Sequence, residues 1–497
     1  MVNSTTSATL LNREAAMKND TAEASTTEAH TTEARKTEVW DLARFVTGAE
    51  FDSLSAQALE QLKIRVLDTL GVAIGALDAE PLVAIRALTD RLGGNNDATL
   101  IGGGTSAPDR AAFYNTALSR YLDFMDSYLA PGETNHPSDN MGAVLAAAER
   151  SSASGRDFLT ALAVAYQVHT RLADEAPVRS KGFDHTTQGA YAVAAGAAKA
   201  LGLTTTQTAN ALAIAGTANN ALRVTRTGSL SHWKGLAAPQ VGKEGMHAAL
   251  LAEAGITGPA EVFEGNKGFK DAIAGEFHID WDAENLESVL RTIVKKHNAE
   301  IHSQSAIDAA LDIREMDGFD PASVRRIEIT TFQVAYDIIG GGEEGQKIYV
   351  TTKEEADHSL PYMVAVALLD GEVTPDQYAP ARITSDDVRA LLDSTTAIPD
   401  DSFSARFPAE MPARVVVVLD DGTELAASRS AYKGFHTDPL DWKGARAKFD
   451  RLTSRFIDAD TQTALADIIA ALDQHQVADL TRLLADIGTA HTPQIDA

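Results

Sequence analysis

Apolar residues recur at helical spacing over most of this chain. Leu59, Leu62, Val66, Leu70 and Ile74 stand three or four positions apart, so one face of a helix is apolar and the other polar. The same period runs from Val39 to about Phe269. Residues 189–203 and 206–221 are dominated by Ala and Gly, whose small side chains let helix axes approach closely, which predicts central helices of an all-α core. Gly202 and Gly255 follow helical runs and fit C-terminal stops. The period changes after about residue 275. Ile327, Ile329 and Thr331 alternate as a half-buried strand requires, and residues 414–419 and 423–428 flank an Asp421-Gly422 turn, which predicts a hairpin. A helix is expected from Tyr362 to Leu369, and helical periodicity returns after Pro439 and runs to about Ile487 before a frayed end. The fold class is therefore mainly α. It comprises a large all-helical domain (39–276, completed by C-terminal helices in 437–497) with a smaller α+β domain inserted at 277–436.

Residues 1–38 are rich in Ser, Thr, Ala and Glu and cannot bury enough apolar surface to offset chain entropy, so a disordered tail is expected. No basic stretch followed by an apolar run marks a secretory signal. The apolar run at 190–203 is short and broken by Lys199, so no membrane span is expected and a soluble cytoplasmic protein is the simplest reading. The chain has no cysteine. That excludes disulfides, thiolate catalysis, Cys-type zinc sites and cysteine-held iron–sulfur clusters. Net charge is −27, with arginine exceeding lysine, which disfavours nucleic acid. An anionic substrate would need a locally cationic site inside this negative molecule.

Candidate chemistry concentrates in His136-Pro137-Ser138-Asp139-Asn140, which trails Asp123-Phe124-Met125-Asp126-Ser127. Ser138 or Asp139 is expected to cap the helix that follows, whose free N–H groups favour anions. Asp126 can orient His136 by accepting from its second ring nitrogen. The plainer reading is a capping loop with one structural histidine. Asp123, Asp126, His136 and Asp139 fit no known divalent-cation loop, and His297 and His302 are five apart, off one helical face. Gly102-Gly103-Gly104 lacks a following lysine and reads as a turn, not a phosphate loop.

These segments, together with Gly182-Phe183-Asp184-His185, 233–238 from Trp233-Lys234-Gly235, 298–306 from Asn298-Ala299-Glu300-Ile301-His302, and 357–365 from Asp357-His358-Ser359, resemble the MmgE/PrpD family in order along the chain. Within it they resemble the 2-methylcitrate dehydratase branch, over about residues 40–445. The resemblance implies a helical domain with an α+β lid, a homodimer, and a site between the two domains. It implies cofactor-free dehydration of a tricarboxylate, 2-methylcitrate to 2-methyl-cis-aconitate, in propionate breakdown. His136 is the expected acid–base residue, with Asp123 and Ser127 at neighbouring site positions and His185 as a second site histidine. Lys234 is expected to grip a substrate carboxylate, with Arg223, Arg226 and His232 as further cations. The family's lid lysine falls in register on Val294, so Lys295 is chosen over Lys296; His302 lines the site, and Tyr362 is the lid tyrosine. Met125 stands where a polar residue is expected. A cis-aconitate decarboxylase of the same fold is the near alternative, which His-Pro-Ser-Asp-Asn disfavours; a divalent-metal enzyme and a non-catalytic scaffold are the distant ones.

Overall fold

The computed structural model describes residues 36–227 and 230–488. Most of the expected tail and the frayed C-terminal end lie outside the described residues. The first helices are α1 (Glu38–Gly48), α2 (Ala56–Ile74), α3 (Glu80–Leu92) and α4 (Pro108–Tyr121). A short hairpin of β1 (Tyr128–Ala130) and β2 (Glu133–Asn135) leads into α5 (Met141–Arg150), α6 (Gly155–Glu175), α7 (Thr186–Ala200), α8 (Thr205–Ala218) and α9 (Trp233–Glu253). Reciprocal Ser154/Asp157 and Thr204/Gln207 pairs cap α6 and α8, satisfying backbone N–H groups that a helix start leaves open. Gly202 and Gly255 have φ of 68° and 91°, the left-handed stops expected of them.

Glycine sets how closely the central helices pack. A Cβ on Gly196 of α7 would meet Val144 of α5 at 2.6 Å, and one on Gly245 of α9 would meet Val193 of α7 at 2.5 Å. Gly142, at the start of α5, faces Thr116 of α4 with no room for a side chain. This last contact matters for function, since it fixes α5 and the turn before it against α4.

Then follow α10 (Gln304–Arg314), β3 (Val324–Thr331), α11 (Leu360–Asp370), β4 (Thr395–Pro399), β5 (Ala413–Leu419) and β6 (Glu424–Arg429). The four strands form one sheet in the order β4-β3-β5-β6, with β3 and β4 parallel and the other pairs antiparallel. The alternation of β3 is explained by Ile327, Ile329 and Thr331 facing inward. Helices α12 (Trp442–Thr453), α13 (Ala459–Ala470) and α14 (Val477–Ala485) close the chain.

There are two cores. One joins Leu67, Val144, Tyr191 and Met246 to Leu440, Phe449, Leu465 and Leu484, so the last helices pack on the first domain across a long sequence gap. The other joins Ile307, Ile329, Phe332, Val364, Val415 and Phe435. No helix among the described residues is long and apolar enough to cross a membrane. The α7–α8 crossing offers a test of the packing. A Cβ on Gly216 would overlap the Tyr191 ring, so Gly216→Ala is expected to destabilise the fold by about 1–3 kcal/mol, read as a lower Tm by circular dichroism.

Candidate active site

Helix α4 ends at Tyr121, and Asp123 then takes a left-handed conformation (φ 53°), which a non-glycine residue holds only where its surroundings fix it. Ser127 pairs by main chain with Ile293 in both directions at 2.8 Å, tying the loop to the segment that enters the second core. His136 follows β2. Its Nδ1 lies 2.8 Å from the Asp126 main-chain carbonyl and 3.1 Å from Ser127 Oγ. A carbonyl can only accept, so Nδ1 carries the proton and Nε2 is the nitrogen left to meet a substrate. The expected role of the Asp126 carboxylate is thereby corrected. That carboxylate accepts from the Ser138 N–H (3.1 Å) and from the Tyr166 hydroxyl (2.7 Å). Nor does Ser138 or Asp139 cap α5, because the turn Pro137–Asn140 runs straight into it. The Asp139 carboxylate is buried with no hydrogen-bond partner among the described residues, and burial pushes its pKa up to about 6. Burial, reinforced by the charges of Arg120 and Lys295, holds His136 well below the usual histidine range, so it is a neutral imidazole.

Asp123 gathers cations from three elements. Lys295 Nζ donates to its carboxylate at 2.9 Å and to its carbonyl at 2.6 Å. Lys234, on the first turn of α9, stands 3.6 Å away, and Arg120 of α4 stands 3.8 Å away. Burial alone would raise the Asp123 pKa, but Lys295, Lys234 and Arg120 outweigh it and hold the carboxyl well below its ordinary value. Lys234 also reaches Asp357 Oδ1 (3.1 Å) and His358 Nδ1 (2.9 Å). Burial lowers the Lys234 pKa against the pull of Asp357 and Asp123, which suits it to give up a proton. Asp123, Asp357 and His358 are close enough to share a cation, and the Lys234 ammonium lies within 3.6 Å of all three.

The opposite wall is arginine-rich. Asp184 accepts from Arg226 Nε at 2.6 Å, while Arg226 also lies 3.5 Å from His185 Nε2. Burial, above all, keeps His185 neutral, and its ring meets that of His136 edge-on at 5.3 Å. Glu300 accepts from His302 Nδ1 at 2.8 Å; against burial, the charge of His302 brings the Glu300 pKa to about 2. Arg120 is the least satisfied cation here. It is 3% exposed, its nearest carboxylate oxygens are 3.8 and 3.9 Å away, and its Nε has no hydrogen-bond partner among the described residues. Its Nη1 also meets Met125 Sδ at 3.7 Å, so its ionic contacts to Asp123 and Asp139 are long ones. Behind the loop, Lys448 of α12 donates to the carbonyls of Phe124 (2.6 Å) and Lys295 (3.0 Å) and pairs with Asp68 at 2.8 Å.

One cavity between the two cores is lined by Asp123, His136, His185, Arg223, Arg226, Lys234, Lys295 and His302. Three expected residues, Ser127, Tyr362 and His232, lie elsewhere. Ser127 is fully buried beneath His136 and supports that ring. The Tyr362 hydroxyl is spent on the Gln377 carbonyl, its ring packs near Tyr378 in the second core, and it does not line the cavity. Tyr362 is therefore withdrawn from the site. Lys296 turns outward to Asp308, and His232 opens on a neighbouring cleft that shares Arg120, Asp123 and Lys234. Sequence reasoning missed Arg120, Glu133, Arg179, Glu300, Glu344 and His358 among the charged lining residues. His358 and Glu300 sat inside quoted motifs, and Arg120 is one helical turn before Asp123, so those three carried a signal. Glu344, in a glycine-rich loop, carried none.

The fold and the site define a two-core, mainly helical protein with a buried, cation-lined cavity at the junction. The MmgE/PrpD N-terminal domain matches residues 40–282 and the MmgE/PrpD C-terminal domain matches 297–474, and the chain belongs to the MmgE/PrpD family. A 2-methylcitrate dehydratase of Cupriavidus necator is 30% identical over 477 residues, covering 87% of this chain and 93% of its own length. That of Escherichia coli K12 is 30% identical over 400 residues, covering 74% and 79%. A cis-aconitate decarboxylase of Mus musculus is 26% identical over 478 residues, covering 89% and 92%.

The neutral histidines make stability depend on pH. Burial lowers His169 to about 4 and holds His136 and His185 below their unfolded value of about 6.5. The unfolded chain then binds more protons below pH 6.5, so stability is intact above that value and is lost as pH falls toward the folded pKa values. Urea unfolding is expected to show a falling free energy from pH 7 to pH 5. The slope contribution is up to ~1.4 kcal/mol per pH unit for each histidine, and His169→Gln is expected to remove one such share.

Proposed function

We propose that this lyase of the MmgE/PrpD family dehydrates 2-methylcitrate to 2-methyl-cis-aconitate, with its own side chains as acid and base, in propionate breakdown. The observation that carries the reading is the cation-rich cavity in which Arg120 is buried with its nearest carboxylates, Asp123 and Asp139, no closer than 3.8 and 3.9 Å. A buried guanidinium held only by such long ion pairs, with no carboxylate hydrogen bond among the described residues, is imperfectly compensated, so the cavity suits a ligand that brings negative charge. The names of the dehydratase relatives supply the particular tricarboxylate.

Dehydration removes a proton α to a carboxylate and expels hydroxide from the neighbouring carbon. The α-proton is weakly acidic because the adjacent carboxylate is already negative, and fixed cations around that carboxylate lower the barrier. Arg120 and the Arg223/Arg226 pair supply such charge. His136 takes the carbon proton at Nε2. Burial and the charges of Arg120 and Lys295 suppress its proton affinity. A bound tricarboxylate offsets those charges, so the imidazole becomes a stronger base when substrate is present. Lys234, with its pKa lowered by burial, gives a proton to the departing hydroxide. Asp123 and Asp357 hold that ammonium in place. A homodimer belongs to the same reading and is supported by Leu222 (61% exposed), Val224 (70%) and Trp233 (48%), which stand out as apolar surface beside the arginine wall.

Decarboxylation of cis-aconitate is the second reading, since the mouse relative covers 89% of the chain. Purified protein is to be mixed separately with 2-methylcitrate, citrate and cis-aconitate in excess EDTA, following alkene absorbance and released carbon dioxide. The expected outcome is alkene from 2-methylcitrate, with kcat/KM reduced ~10²–10⁴-fold in His136→Ala. Carbon dioxide from cis-aconitate without alkene from 2-methylcitrate would favour the second reading, and turnover lost to EDTA would favour a metal enzyme. Arg120→Gln is expected to act mainly on binding, raising KM roughly 10- to 100-fold in steady-state assays as one charge-assisted contact is lost.

A further inference from the structure

The cavity opens toward a wider cleft, and Glu133, Thr134, Arg179, Arg223 and Glu344 line both. Glu344 thus stands at the boundary between them. Its Oε1 accepts from Arg223 Nη2 at 3.0 Å and from Arg179 Nη2 at 3.4 Å. The two arginines belong to the helical side. Arg179 opens the short turn after α6, where its main-chain N–H is held by Glu133 at 3.1 Å, and Arg223 lies between α8 and α9, 3.8 Å from Asp184. Glu344 comes from the other side, in a loop that its own N–H ties back to the Asp337 carbonyl at 2.9 Å. Gly341 and Gly345 flank it with φ of 107° and 89°, a reversal that residues with a Cβ rarely adopt, and this reversal turns Glu344 back toward the arginines.

A carboxylate between two guanidiniums is the arrangement a substrate carboxylate would make with the same two residues. We propose that Glu344 is an internal stand-in for a substrate carboxylate: it fills the anion position between Arg179 and Arg223 across the cavity mouth, and an incoming polycarboxylate takes those arginines by displacing it. The inference rests on the tricarboxylate reading above. Its consequence is selectivity. A ligand with one carboxylate merely exchanges with Glu344 and gains little, whereas a ligand with three keeps two more for the inner cations. The intramolecular anion also weakens every productive complex by the work of removing it.

The test is calorimetric binding of propane-1,2,3-tricarboxylate, which lacks the hydroxyl and cannot be dehydrated, at fixed ionic strength. The proteins are the full-length chain, Glu344→Gln and Glu343→Gln, each shown to be folded by circular dichroism. Glu343 is exposed on the same loop and lines only the outer cleft, so its variant reproduces the charge change without the arginine contact. Glu344→Gln is expected to lower Kd roughly threefold to tenfold, with Glu343→Gln within about twofold of the parent. An unchanged or weaker Kd in Glu344→Gln, or equal tightening in both variants, overturns the stand-in role while leaving the tricarboxylate reading intact. Binding by none of the three proteins overturns both.

Discussion

The Asp123 carboxylate is the point on which the rest of the site depends. It is buried, and burying it is favourable only because ammonium and guanidinium groups arrive from α9, from the segment before α10, and from α4. Those elements belong to both cores, so the ion cluster is also one of the links between them. Stripping one partner from such a cluster leaves an uncompensated interior charge, an arrangement that typically costs about 3–5 kcal/mol. The left-handed backbone at Asp123 follows from the same constraint, because the chain must turn its carboxylate back under Lys295 just after α4 ends.

Around this point the molecule reverses its own sign. The chain carries a net charge of −27, yet four of its arginines and two of its lysines converge on a single cavity. Most of these cations are partly neutralised by a carboxylate, which offsets the cost of burying them together. The matching is incomplete at Arg120, and that shortfall is where a ligand finds its gain. The same field keeps His136 and His185 neutral, so one set of charges serves both recognition and the readiness of the base.

Much of the architecture was legible because it is periodic. The helical spacing through α2, the Ala/Gly composition of α7 and α8, and the alternation of β3 all follow from burial on one face. The site was legible only where chemistry and sequence proximity coincide, as at Asp123 and His136. Tyr362 misled because a polar-tipped aromatic reads the same whether its hydroxyl meets a ligand or the Gln377 carbonyl. Asp126 misled in a different way, because its main chain, not its side chain, orients His136, and a carbonyl has no sequence signature. Glu344 was invisible, since its meaning depends on two arginines more than a hundred residues away.

Lys448 carries one more implication. It stands in α12, near the end of the chain, yet its ammonium braces the carbonyls of Phe124 and Lys295, the two segments that present Asp123 and its lysine partner. The two segments thus depend on a brace that is 324 and 153 positions further along the chain. A change that loosens α12 would therefore be felt at Asp123 and Lys295 without altering any residue that lines the cavity.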